Sequence, residues 1–147
     1  MGTTTFSGPV KAGSIREGAS ANVGFALMAQ SAKVTFAANG TTTVVARLPA
    51  NSQIFQIPVD VTTAFDAGSA NTLDIGDGTT ADKYADALAL GSLARVLATS
   101  DVSQIGNLID IGTSDVAITT TYNQSGSAAS AGAATVTVLY LQNNNLS

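Results

Sequence analysis

The residues best suited to chemistry sit together in Asp74-Ile75-Gly76-Asp77-Gly78-Thr79-Thr80-Ala81-Asp82. Carboxylates separated by glycines are the donors a calcium ion takes, since it gathers roughly six to eight oxygens from a backbone able to bend around it. The spacing departs from an EF-hand loop, which alternates acidic or amide donors and ends in Glu. Asp and Gly are also the ordinary residues of tight turns, where Asp bonds nearby backbone N–H groups and Gly accepts positive φ. Asp74, Asp77 and Asp82 therefore carry two readings, a turn between strands and a calcium loop; the turn is the commoner use of such residues, and no metal is expected. Gly76-Asp77-Gly78 does not make a phosphate loop, because no Gly-Lys-Ser/Thr follows it.

The remaining chemical inventory is short. The chain has no His and no Cys, which removes imidazole acid–base catalysis, thiol nucleophiles, and zinc sites built on either. Its only Glu is Glu17, so a carboxylate pair for glycoside hydrolysis would have to come from Asp. No enzyme and no cofactor are expected. Lys83 and Tyr84 read as a half-buried strand edge, and the scattered aromatic residues, with no Trp, make no glycan platform.

Composition points to assembly instead. Ala, Thr, Ser and Gly supply 72 of the 147 residues, and only 16 are charged, against roughly a quarter in an average soluble domain. Small β-prone side chains with little charge suit subunits that stay packed against other subunits. The net charge of −4, with six basic residues spread along the chain, gives no patch able to neutralise phosphates, so nucleic acid is not an expected partner. Nor is membrane, since no apolar run approaches the length of a span. The polar, Thr-rich stretch Met1–Val10 lacks the basic and apolar regions of an export signal, and synthesis and use without such export are expected.

The elements that would hold these residues read as strands. Gln53–Val61 alternates, placing Phe55, Ile57, Val59 and Val61 on one face and Gln56, Pro58 and Asp60 on the other. Pro58 cannot donate to a ladder, which predicts an edge strand or an unpaired side. Asn39-Gly40 between apolar runs predicts a hairpin, and Leu48–Ser52 a second turn. Asp82–Leu97 reads as a short strand plus loop. Val116, Ile118, Thr120 and Tyr122 share a face, and so do Val136, Val138 and Tyr140. Leu139 and Leu141 fall on the opposite face of the last strand, which points to a second buried surface such as a subunit contact. Seven to nine short strands with turns every ten residues or so predict one all-β domain, a β-sandwich or jelly roll, over 23–147. Residues 1–22, broken by Gly2, Gly8, Gly13 and Gly18, carry two readings, a floppy terminus and an extended N-terminal arm whose Phe6, Val10, Ile15 and Arg16 are candidate contacts with a neighbouring subunit or another assembly surface.

Several segments together resemble a family. Thr3-Thr4-Thr5-Phe6-Ser7-Gly8-Pro9-Val10 resembles the opening of tailed-phage virion proteins encoded near the major capsid protein. Leu48–Ile54, Val59–Phe65, Thr72–Gly78 through Tyr84, and Ala133–Tyr140 are similar to segments of small phage head proteins. The resemblance implies a capsid decoration (cement) protein on the outer surface of the virion. Its implied partners are the major capsid protein and itself, often as a homotrimer at threefold axes, and it would be made in the host cytoplasm and stabilise the shell without catalytic residues. The alternatives are another virion part, such as a head fibre or tail subunit, and a carbohydrate-binding or adhesin sandwich using the 74–82 loop.

Overall fold

A computed structural model describes residues 25–98 and 109–143. The predicted arm contacts Phe6, Val10, Ile15 and Arg16 lie outside the described residues. Among the described residues the chain forms ten strands and one 3-10 turn, Phe36–Ala38. The strands are β1 (Phe25–Thr35), β2 (Thr42–Leu48), β3 (Gln53–Gln56), β4 (Pro58–Thr63), β5 (Ala70–Gly76), β6 (Ala85–Ala89), β7 (Ala94–Leu97), β8 (Ile109–Asp110), β9 (Val116–Ser125) and β10 (Ala133–Asn143).

They make two antiparallel sheets that close on each other as a β-sandwich, the all-β class the strand pattern predicts. The larger sheet is built on β10, with β1 along one side and β4 and β3 along the other; β7 extends β4 and β8 extends β3. The smaller sheet runs β2-β9-β5-β6. Alternation fixes what lies between them. Val136, Val138 and Tyr140 of β10 meet Ile118 and Tyr122 of β9 and Leu73 and Ile75 of β5, all nearly or fully buried. Phe65, from the loop after β4, tilts against Tyr122 with ring centroids 4.6 Å apart, a spacing within the favourable range for edge-on aromatic pairs.

Three expectations change. The Asn39-Gly40 turn does not close a hairpin: β1 pairs with β10 in one sheet and β2 with β9 in the other, so the turn carries the chain between layers. Gly40 supplies the positive φ of 67° the crossing needs. The run 53–61 is two strands, with a bulge near Phe55. Tyr140 pairs with Ile54 and Leu139 with Gln56, which leaves Phe55 as an extra residue. That shifts the alternation by one: Ile54 is buried, as are Ile57, Val59 and Val61, while Phe55 leaves the core face and is 54% exposed. Finally, of the two readings of Pro58 the edge strand falls, since β4 lies between β10 and β7; Pro58 is the first residue of its strand, opposite Leu97 on β7 and unpaired on the β10 side, where the ladder stops at Val59.

Candidate functional site

The carboxylates of the 74–82 segment are engaged separately. Asp77 closes the β5–β6 loop: its Oδ1 accepts the Thr79 and Thr80 N–H groups at 3.0 and 2.9 Å, and its Oδ2 meets Lys83 Nζ at 2.6 Å. Those bonds, Lys83 foremost, hold its carboxyl down to a pKa of about 2. Asp74 accepts Ala87 N–H on Oδ1 and Asn123 Nδ2 on Oδ2, tying β5 to β6 and β9. Asp82 is exposed in the loop. No group of three or more potential metal-ligating side chains is found among the described residues. The segment also packs tightly, since a Cβ on Gly76 would fall 1.9 Å from the Thr80 carbonyl oxygen. Its geometry is that of a hydrogen-bonded turn.

The two outward sheet faces are chemically unlike. On the smaller sheet, outward side chains satisfy one another: Thr42 and Thr121 hydroxyls lie 2.8 Å apart, Asn123 donates to Asp74, and Thr119 Oγ1 accepts Gly78 N–H. The larger sheet instead presents apolar groups in rows set by its register. Leu27, Leu141, Gln53 and Asp110 stand side by side across β1, β10, β3 and β8. The next row holds Ala29, Leu139 and Gln56, with Phe55 pushed outward beside them by the bulge. Then come Ser31 and Thr137, and Pro58 beside Leu97. The fourth row is polar: Lys33, Thr135, and Asp60 paired with Arg95 through Nε at 2.5 Å and Nη2 at 3.1 Å.

Leu139 and Leu141 are thus half-buried and lie on the outward face, where the alternation of the last strand places them. Leu27 is 60% and Leu97 37% exposed. Leu139 lines a shallow groove of about 630 Å³ with Gln56, Pro58, Asp60, Arg95, Leu97 and Thr137. Sequence reasoning missed Leu27, Phe55 and Leu97. Leu27 lay in a run with no polar alternation to orient it, Leu97 in a segment of uncertain type, and Phe55 was assigned by a period that the bulge interrupts. A contiguous apolar band on a sheet face, rimmed by an ion pair, is the kind of surface found where macromolecules meet.

No protein-family model matches the chain, and no curated protein matches it. Solved structures do. One is a chain of the cyanophage Pam1 capsid asymmetric unit, with a TM-score of 0.59 and 18% identity over 89% of this chain and 94% of that one. A chain of the Ralstonia phage GP4 capsid gives 0.54 and 16% identity, over 90% and 92%. A chain of the acid-stable capsid of Helicobacter pylori bacteriophage KHP30 gives 0.52 and 13%, over 82% and 94%. At these identities the likeness is one of fold: nearly the whole sandwich is similar to chains found in three phage capsids.

Proposed function

We propose that this protein is a structural component of a tailed-phage virion, specifically a decoration protein that binds the outer surface of the head and stabilises the shell. The observation that carries the reading is the similarity of nearly the whole chain to chains of three phage capsid structures. The exposed apolar band on the larger sheet supports it, as a surface of the kind assembly requires. So does the sparse charge of the sequence. In this reading the major capsid protein and further copies of the chain, as a homotrimer, are the partners. No residue acts as a catalyst, and no metal or cofactor takes part.

The test is genetic and physical. Heads of the parent phage are assembled without this chain, purified, and mixed with the purified protein, which is then followed by co-sedimentation and light scattering. Saturable binding of a trimer to intact heads, with a rise in the temperature at which they release DNA, is the expected result. Failure of any head to form without the chain would make it a shell-forming subunit instead. A protein that leaves intact heads bare would overturn attachment altogether.

A further inference from the structure

We propose that Asn39 is a site of spontaneous deamidation that the folded chain holds shut, released when the crossover between the two sheets locally detaches from β9. Asn39-Gly40 is the one Asn-Gly pair in the sequence. A glycine after asparagine is the least hindered arrangement for this reaction, because no Cβ shields the following amide nitrogen. Both residues are exposed, so water reaches them.

The reaction is an intramolecular acyl transfer with no change of oxidation state. The Gly40 nitrogen gives up its proton to solvent base and attacks Asn39 Cγ. The N–Cγ bond forms, the Cγ–Nδ2 bond breaks, and the amide nitrogen takes up a proton and leaves as ammonia. The cyclic imide that results then adds one water. Opening at Cγ gives aspartate at position 39, and opening at the main-chain carbonyl gives isoaspartate, with the backbone routed through the side chain. Either product carries an added negative charge. Isoaspartate also lengthens the main chain by a methylene where it passes from β1 in one sheet to β2 in the other.

The fold blocks ring closure in three ways. Gly40 N–H donates to the Tyr122 carbonyl at 2.8 Å, so the proton that must leave is engaged. Asn39 Oδ1 accepts the Gln124 N–H at 3.1 Å, which ties the side chain to β9. Closure also needs the Gly40 nitrogen nearly eclipsed with Asn39 Cβ, whereas a ψ of 127° holds it far round the Cα–C bond. Both hydrogen bonds lead to β9, where Asn39 makes an isolated parallel bridge with Tyr122. Little apolar packing backs them, since the preceding turn Phe36–Ala38 contains no buried residue and its N-terminus has no side-chain cap. Detachment of this segment is therefore a local opening, less costly than unfolding the sandwich.

The test follows the full chain and a peptide of residues 35–44 at mildly alkaline pH. Product is measured by ion exchange, isoaspartyl methyltransferase labelling and peptide mapping, with the Asn39→Asp chain as charge standard. With two hydrogen bonds to break, modification in the folded chain should run about 10- to 100-fold slower than in the peptide. It should keep that rate in urea well below the unfolding midpoint, because a local opening exposes little surface. A folded-chain rate equal to the peptide's would overturn the lock. A rate too low to measure in the folded chain, or one that climbs with the full unfolding slope, would place the reaction in the unfolded chain and overturn the local gate.

Discussion

At the scale of single residues, charge and shape at a few positions decide how the loops hold. Asp77 is held to a pKa of about 2 by Lys83 and two backbone donors, against about 3.9 for an unfolded aspartate. Its folded-state pKa is the lower one, so its stabilising contribution is complete above about pH 4 and disappears as pH falls toward 2. Asp66 acts in the same direction. Its carboxyl, lowered chiefly by the Ala131 N–H and also by the Ser130 hydroxyl and N–H, fastens the loop between β9 and β10. Thermal melting points measured from pH 5 to pH 2 should therefore fall, and Asp77→Asn should lower the value at pH 5 while making the fall shallower. An unchanged slope would remove Asp77 from the account. Shape governs Gly132, whose φ of 148° suits no other residue and whose added Cβ would lie 2.5 Å from the Phe65 ring. Gly132→Ala should cost about 1–3 kcal/mol, as overpacking does, read as a lower urea midpoint with loss of the near-ultraviolet signal of the Phe65–Tyr122 pair. Asp77 and its glycines were legible in the sequence as a turn. Gly132 was not, because only the fold brings Phe65 to it.

At the scale of elements, the joint between the sheets is made by a side chain acting as a piece of backbone. Gln30 of β1 donates from Nε2 to the Arg47 carbonyl at 2.7 Å and accepts the Arg47 N–H on Oε1 at 3.0 Å. Its Nε2 also lies 3.0 Å from the Tyr140 hydroxyl. It thereby pairs with β2 as a neighbouring strand would and covers part of an edge left open by the smaller sheet. Gln30→Ala should lose about 1–3 kcal/mol, from two backbone bonds at roughly 0.5–1.5 kcal/mol each, with an unchanged urea slope because the substitution barely alters the surface exposed on unfolding. A loss below the error of the measurement would mean that water replaces the amide at no cost. The element pattern also shows where sequence reading runs out. Period-two alternation identified the core faces of β9 and β10, because a strand lacking a bulge keeps its phase along its length. It mis-set Phe55, because one inserted residue inverts the phase and leaves no mark in composition. It also made a hairpin of Asn39-Gly40, since a turn residue records a bend but not which sheet the next strand joins.

At the scale of the whole molecule, the sandwich separates the faces that fold it from the apolar face it leaves open. The inner faces hold residues such as Leu73, Ile118 and Val138 at 0% exposure; truncating Leu73 to Ala should cost about 2–5 kcal/mol through lost burial and the cavity left behind. The outward face of the larger sheet makes no such contribution, since Leu27 and Phe55 remain more than half exposed, and exposed positions usually change stability by within about 0.5 kcal/mol. Leu27→Asp combined with Phe55→Asp should therefore leave the urea midpoint close to that of the wild type. The same pair places two charges, without partners, in the middle of any apolar contact, where desolvation is costly. Binding to heads or oligomer mass should then collapse while the fold persists. Leu73→Ala should give the opposite profile, a lower midpoint with assembly retained wherever the chain is still folded. If the double aspartate variant assembles like the wild type, the apolar band is surface without a partner, and the proposed attachment to heads would have to run through another face, such as the Thr-rich face of the smaller sheet.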